Sequence, residues 1–228
     1  MPDFSPSPVS LRVAGLDLVR GEQHLAAQLT FTVEAGTALA VVGANGSGKS
    51  TLLRCIAGLL PFEQGSVEVL GAEIPGSGDA PIAALSHYLG HQEAMKPALT
   101  VGENLRFWAT MLRQEAGNAG AGEAASQGED LTPVAALERF DLAHVVDTPA
   151  GYLSAGQRRR AALARLLVVS RPIWLLDEPT AALDAASVKK LTEVMAAHLN
   201  GGGLIVAATH DQLGIAVHEL RLGEDAGP

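Results

Sequence analysis

Eight consecutive residues constrain this chain more than any other feature: Gly43-Ala44-Asn45-Gly46-Ser47-Gly48-Lys49-Ser50. They fit the phosphate-loop pattern G-x-x-x-x-G-K-[ST], and their surroundings fit it too. An apolar, strand-like run from Thr37 to Val42 precedes the loop, and a helix-like run from Leu52 to Leu60 follows it. Glycine lacks a Cβ, so such a backbone can wrap a phosphate closely and turn its N–H groups inward. The helix that follows adds the partial positive charge of its N-terminus. Lys49 is positioned for β- and γ-phosphates, the Ser50 hydroxyl for Mg²⁺, and Thr51 continues the loop into the helix. The stretch predicts a nucleoside triphosphate site.

The second informative stretch is Ile173-Trp174-Leu175-Leu176-Asp177-Glu178, an apolar run ending in two acids. A strand buried on both faces of a parallel sheet reads this way, and ligands bind beyond the carboxyl ends of such strands. Asp177 is placed to hold Mg²⁺ directly or through water, and Glu178 to polarise a water for attack on the γ-phosphate. A further buried strand, 204–209, ends at His210, whose imidazole could contact the γ-phosphate.

Composition limits the alternatives. The 228 residues, 47% of them hydrophobic, suit one domain or a domain with a subdomain. A formal charge of −9 argues against a nucleic-acid partner. The single Cys55 cannot close an internal disulfide, and its helix position favours a buried thiol. No segment approaches the roughly 20 apolar residues a membrane helix needs, so no direct membrane insertion is expected. The first eight residues hold three prolines and no apolar core, and read as a loose tail rather than a signal peptide.

In chain order, 9–19 and 25–33 alternate as antiparallel strands around an Arg20-Gly21-Glu22 turn. Strand character returns at 66–70 and 85–91, with 74–84 reading mainly as loop. From Val101 the period becomes helical, with Leu105, Trp108, Ala109 and Leu112 on one face. Residues 114–130, rich in Gly, Ala, Glu, Ser and Gln, read as a flexible insertion. Thr132 and Pro133 open a helix to Phe140, and Ser154 caps another that is expected to run to Val169. Arg158-Arg159-Arg160 at its start reads as a solvated face. A helix over 185–199 is broken by Gly201-Gly202-Gly203. The expected fold is α/β: one domain over 9–222, with a parallel core sheet, an antiparallel subdomain, a helical block over 93–169, and a second tail over 223–228.

Taken together, these residues resemble the nucleotide-binding subunit of ATP-binding cassette transporters, and the resemblance spans about 9–222. After the phosphate loop come a Q-loop glutamine (Gln92), the signature Leu153-Ser154-Ala155-Gly156-Gln157, the acid pair Asp177 and Glu178, the D-loop Asp184, and the switch histidine His210. The resemblance implies ATP and Mg²⁺ as cofactors, with Ser50, Gln92 and Asp177 around the metal. Glu178, His210 and Gln92 would be catalytic. The signature would close over the ATP of a second copy in a head-to-tail dimer, Asp184 would couple the two copies, and the helical block would dock on an integral permease at the cytoplasmic face of the membrane. Ala155 replaces the commoner second glycine. The family's adenine-stacking aromatic is missing near Val19, where Arg20 could stack on the base instead.

A narrower resemblance rests on the stretches 87–92, 103–108, 153–167 and 174–184, which look like the ATP-binding subunit of the haem exporter of cytochrome c maturation. His87 and His91 flank the Q-loop in that fold and read as strand-end residues rather than haem ligands. Three other readings remain open. A cassette serving another substrate shares every motif. A soluble phosphate-loop kinase would have no use for 153–157. A non-transport cassette ATPase normally carries a second cassette or a long coiled-coil insertion.

Overall fold

The computed structural model describes residues 9–21, 23–71, 82–118 and 129–223. Both expected tails, apart from Gly223, and residues 119–128 of the expected insertion lie outside the described residues.

The two most apolar strands occupy the middle of the molecule. β6 (Ile173–Asp177) and β7 (Leu204–Ala208) are buried at every position, as strands covered on both faces must be. They pair in parallel, and the sheet continues through β5 (Ser86–Leu89) on one side and β3 (Ala38–Gly43) and β8 (His218–Leu222) on the other, in the order β5-β6-β7-β3-β8. Side-chain alternation divides two cores across this sheet. Trp174, Leu176, Ile205 and Ala207 point to the helical side with Val101, Leu105, Phe140 and Leu163. Ile173, Leu175, Leu204 and Val206 point to the other side, where α1 (Lys49–Ile56) contributes Leu52, Leu53 and Ile56.

The second core is closed by a three-stranded antiparallel sheet in the order β2-β1-β4, formed by β1 (Ser10–Arg20), β2 (Gln23–Val33) and β4 (Ser66–Leu70). Leu11, Val13, Leu16 and Leu18 of β1 are its inward residues and are fully buried. On the far side, α3 (Val101–Asn118), α4 (Pro133–Glu138) and α5 (Ala155–Ala164) form the helical block, and α6 (Ala185–Asn200) packs Leu191 and Met195 beneath the sheet. Thr132 caps α4 by accepting the Ala135 N–H, with Pro133 at the first turn.

Several sequence expectations need correction. Residues 82–85 form a short helix, α2 (Ile82–Leu85), so strand character begins only at Ser86. The signature helix stops at Ala164 and tightens into a 3₁₀ turn over Arg165–Leu167, short of Val169. Residues 114–118 belong to α3, and Asp130 is also anchored, so the expected insertion is narrower than 114–130 at both ends. Glu115 pairs with the buried Arg171 at 3.1 Å, while Asp130 pairs with Arg113 at 2.9 Å and accepts the Ser170 N–H at 2.7 Å. β8 was not anticipated at all. Only Leu220 and Leu222 mark it as a strand, and its other three residues are polar or charged.

His87 is 1% exposed in β5, and its Nε2 donates to the Val169 carbonyl at 2.7 Å. This is the structural role expected of it. Burial, then the guanidinium groups of Arg171 and Arg165, push its pKa down to about 3 against the opposing hydrogen bond. Below pH 6.5 the unfolded chain therefore binds a proton that the folded chain refuses, so stability is complete above that pH and falls beneath it. Chemical denaturation is expected to give a stability about 1.4 kcal/mol lower at pH 5.5 than at pH 7.5 from His87 alone. His198, stacked on Trp174 at 3.9 Å and pushed down to about 4 chiefly by burial, acts in the same direction. A His87→Gln chain should lose the first contribution, and an unchanged pH profile in that chain would contradict the assignment.

Candidate functional site

The parallel sheet delivers its functional residues to one edge. The loop 43–48 follows β3, Asp177 and Glu178 end β6, His210 follows β7, and Gly90, His91 and Gln92 follow β5. In an open parallel sheet that carboxyl edge is where ligands bind. Here it carries a cavity of about 250 Å³ lined by Arg20, Asn45, Gly46, Gly48, Lys49, Ser50, Thr51, His91, Asp177 and Glu178.

The loop has the backbone such a cradle needs. Gly43 has φ 149°, and a Cβ built there would meet the Leu222 carbonyl oxygen at 2.3 Å and the Ser47 hydroxyl at 2.8 Å. Gly48 has φ 103° and opens α1 without a side-chain cap, which leaves the first N–H groups of that helix free for an anion. The Ser47 hydroxyl is buried with no partner. Ser47 does not line the cavity and its N–H donates to the Ala44 carbonyl at 3.2 Å, so the cradle for a phosphate is the backbone of Asn45, Gly46 and Gly48 with the start of α1.

Lys49 is 7% exposed, and its ammonium donates to the carbonyls of Gly43 at 2.8 Å and Ala44 at 3.1 Å. It also lies 3.0 Å from His210 Nε2, which is 2.9 Å from Asn45 Oδ1 and 3.7 Å from Glu178 Oε1. Nearby, the Ser50 hydroxyl donates to Asp177 Oδ1 at 2.9 Å, and Asp177 is 2% exposed. These two oxygens form a hard-donor pair of the kind Mg²⁺ takes. Glu178 has φ 48°, a left-handed conformation costly for a residue with a Cβ, and its N–H is held by the Ala208 carbonyl at 2.8 Å.

Not every expected residue meets here. Gln92 lines a neighbouring cavity with Glu93, Met95, Pro97, Gly151 and Arg158, while His91, expected only to end a strand, lines the phosphate cavity. None of Leu153, Ser154, Ala155, Gly156 and Gln157 lines it. They form a reciprocal cap at the start of α5: the Ser154 hydroxyl accepts the Gln157 N–H at 3.2 Å, and Gln157 Oε1 accepts the Ser154 N–H at 3.0 Å. Asp184 caps α6 by accepting the Ser187 N–H at 2.8 Å, and its hydrogen bonds to Ser187 hold its carboxyl below the usual range.

The reading of 158–160 as a solvated face is overturned. Arg159 is 2% exposed, and all three guanidinium groups donate to carbonyls: Arg158 to Leu153, Arg159 to Gly90, Asp177 and Glu178, and Arg160 to Phe140. Charge alone could not separate a surface arginine from one threaded between strand ends.

A profile of the ABC transporter family matches residues 26–181, which takes in the phosphate loop, the signature helix and the acid pair. The chain belongs to the ABC transporter family. It is an ATP-binding, ATP-hydrolysing cassette. It is 50% identical over 212 residues to the cytochrome c biogenesis ATP-binding export protein CcmA of Rhodopseudomonas palustris strain BisB5, covering 93% of this chain and 97% of the relative. It is 49% identical to the CcmA of Rhizobium meliloti over 206 residues, covering 90% and 93%. A solved ATP-binding subunit of an ABC transporter superposes with a TM-score of 0.70 at 25% identity, over 88% of this chain and 79% of that one. Among the described residues no helix is long and apolar enough to cross a membrane.

Because a Cβ at position 43 has no room against the Leu222 backbone, Gly43→Ala is expected to destabilise the cassette by about 2 kcal/mol or more. It should weaken ATP binding with it. Denaturation curves and titration with a fluorescent ATP analogue check both, and a stable variant with parental affinity would contradict the packing described for the loop.

Proposed function

We propose that this chain is the ATP-hydrolysing subunit of an exporter for cytochrome c biogenesis, moving haem or releasing a haem-loaded chaperone. The observation that carries this reading is near-50% identity, over almost the whole chain, to export proteins of that process. The site geometry supports the energetic half of it.

In this reading the N–H groups of the loop 43–48 and the α1 N-terminus receive the β-phosphate. Gly43, Ala44, Asn45, Gly46, Ser47 and Gly48 supply the wrap, and Ser50 and Thr51 close it. The Lys49 ammonium exchanges its carbonyl partners for β- and γ-oxygens, a charge-assisted gain that the resting contacts to Gly43 and Ala44 preorganise. Arg20, at the end of β1 on the cavity wall, offers a flat guanidinium to the base. Ser50 and Asp177 are the residues that would hold Mg²⁺, with Gln92 joining them only if its loop moves in from the neighbouring cavity. A bound Mg²⁺ would neutralise charge developing on the phosphate oxygens.

Glu178 then serves as the carboxylate that orients and polarises the attacking water, and His210, 3.7 Å away, contacts the γ-phosphate side. Ser154, Ala155 and Gly156, at the capped N-terminus of α5, do not line this chain's own cavity, which suits closure over the ATP of a second copy in a head-to-tail dimer. In that dimer Asp184, which caps α6, would couple the two copies. The cavity at Gln92 is where the helical block would meet an integral permease at the cytoplasmic face, which makes the cassette a peripheral subunit.

Glu178→Gln is expected to retain ATP binding, lose hydrolysis at least about 100-fold, and accumulate as an ATP-bound dimer seen by light scattering. Cells carrying only that form should lack covalently haem-bound c-type cytochromes on stained gels while still making b-type ones. Normal c-type staining would overturn the cytochrome assignment and leave the ATPase untouched.

A further inference from the structure

Arg159 lies in the second turn of α5, five residues beyond the Ser154 cap. Its guanidinium is 2% exposed and reaches two separate strand ends. Nη1 donates to the Gly90 carbonyl at 3.1 Å, at the start of the loop that carries His91 and Gln92. Nη2 donates to the Asp177 carbonyl at 3.1 Å and to the Glu178 carbonyl at 2.5 Å. One side chain thus holds the peptide groups that flank the proposed catalytic carboxylate, the loop after β5, and the helix whose N-terminus carries the signature.

A buried guanidinium is an expensive way to fill space, since desolvation commonly offsets its attractions and an apolar side chain would pack as well. Burial does push this arginine below its ordinary pKa, opposed by the nearby carboxylates of Glu93, Asp177 and Glu178. What the guanidinium adds is a rigid planar fork that fixes three carbonyls at once, which a lysine ammonium on a flexible stem cannot reproduce. The site needs such fixing. Glu178 sits at φ 48°, a conformation that persists only where the surroundings hold it. Its N–H is tied to the Ala208 carbonyl, and its carbonyl accepts from the Ala181 N–H at 3.2 Å and, more closely, from Arg159.

We propose that Arg159 is a positioning residue for ATP hydrolysis, locking the Glu178 peptide in its left-handed conformation and tying it to the Gly90 loop and the signature helix. Arg159 does not line the phosphate cavity, so it acts on turnover through Glu178 rather than by contacting nucleotide. A shift of the Gly90 loop or of α5 pulls on the same fork, so displacement of the helical block is felt at the carboxylate. The proposal rests on Glu178 as the water-polarising group.

The test uses the full-length chain with Mg-ATP. Arg159→Lys keeps the charge and loses the fork. Its kcat is expected to fall roughly 10- to 100-fold while KM and the affinity for a fluorescent ATP analogue change by less than about threefold, because the displaced group is catalytic rather than binding. Arg159→Gln, a neutral and shorter donor, should behave the same way and serves if the lysine variant does not fold. A folded variant with kcat within about twofold of the parent, or a loss confined to KM, overturns the proposal. Failure of both variants to fold would also overturn it, by assigning Arg159 to the core alone. Glu178→Gln assayed in parallel separates the two ideas. An active Glu178→Gln chain removes Glu178 from the chemistry, whereas an inactive one beside a fully active Arg159→Lys chain removes only Arg159.

Discussion

A strand buried on both faces has one place to put polar groups, its end. β6 is apolar from Ile173 to Leu176 and cannot accept a charge until it leaves the sheet, so Asp177 and Glu178 emerge at its carboxyl edge. The same holds for β7, followed by Thr209 and His210, and for β3, followed by the glycine loop. Parallel pairing aligns those three ends. The functional cavity is a consequence of covering a parallel sheet with the helical block on one face and with α1 and an antiparallel sheet on the other.

Within that edge, electrostatics are arranged in short chains of contact. Lys49 would be an unfavourable buried ammonium without the Gly43 and Ala44 carbonyls. Asp177 is relieved by the Ser50 hydroxyl on one side and by the nearby Arg159 guanidinium on the other. Three buried arginines hold the β5 side of the sheet: Arg159 at Gly90, Arg165 at Tyr88, and Arg171 at Ala83 and Ser86. All three come from the stretch running from α5 to the start of β6, so the helical block is attached to the sheet by fixed polar forks as well as by apolar packing. Forks have defined geometry, and a rigid-body shift of the block must break or drag them.

Much was legible in the sequence because it depended on local rules. The phosphate loop needs glycines where backbone and ligand crowd each other, and Gly43 and Gly48 sit at positive φ for that reason. The caps at Thr132 and Ser154 follow from side chains that can accept an N–H two or three residues on. Alternation marked β1 and β2, and unbroken apolar runs marked β6 and β7, because period and length reflect how many faces are covered. The ends of elements were less legible. Residues 114–118 have the composition of a loop, yet they extend α3 because Glu115 finds the buried Arg171.

By itself, then, the order of residues determined the fold class, the loop that takes phosphate, the acids that follow β6 and the helix that carries the signature, since each rests on periodicity or on a backbone requirement within a few neighbouring positions. Only the tertiary structure decided that Arg159 is buried rather than solvated, that His91 and not Gln92 lines the phosphate cavity, and that His218–Leu222 adds a fifth strand beside β3. The physical reason is the same in each case. A charge, a loop side chain or a half-polar strand has no intrinsic preference strong enough to place it, and its position is set by partners distant in sequence, 69 residues away for Arg159 and Gly90.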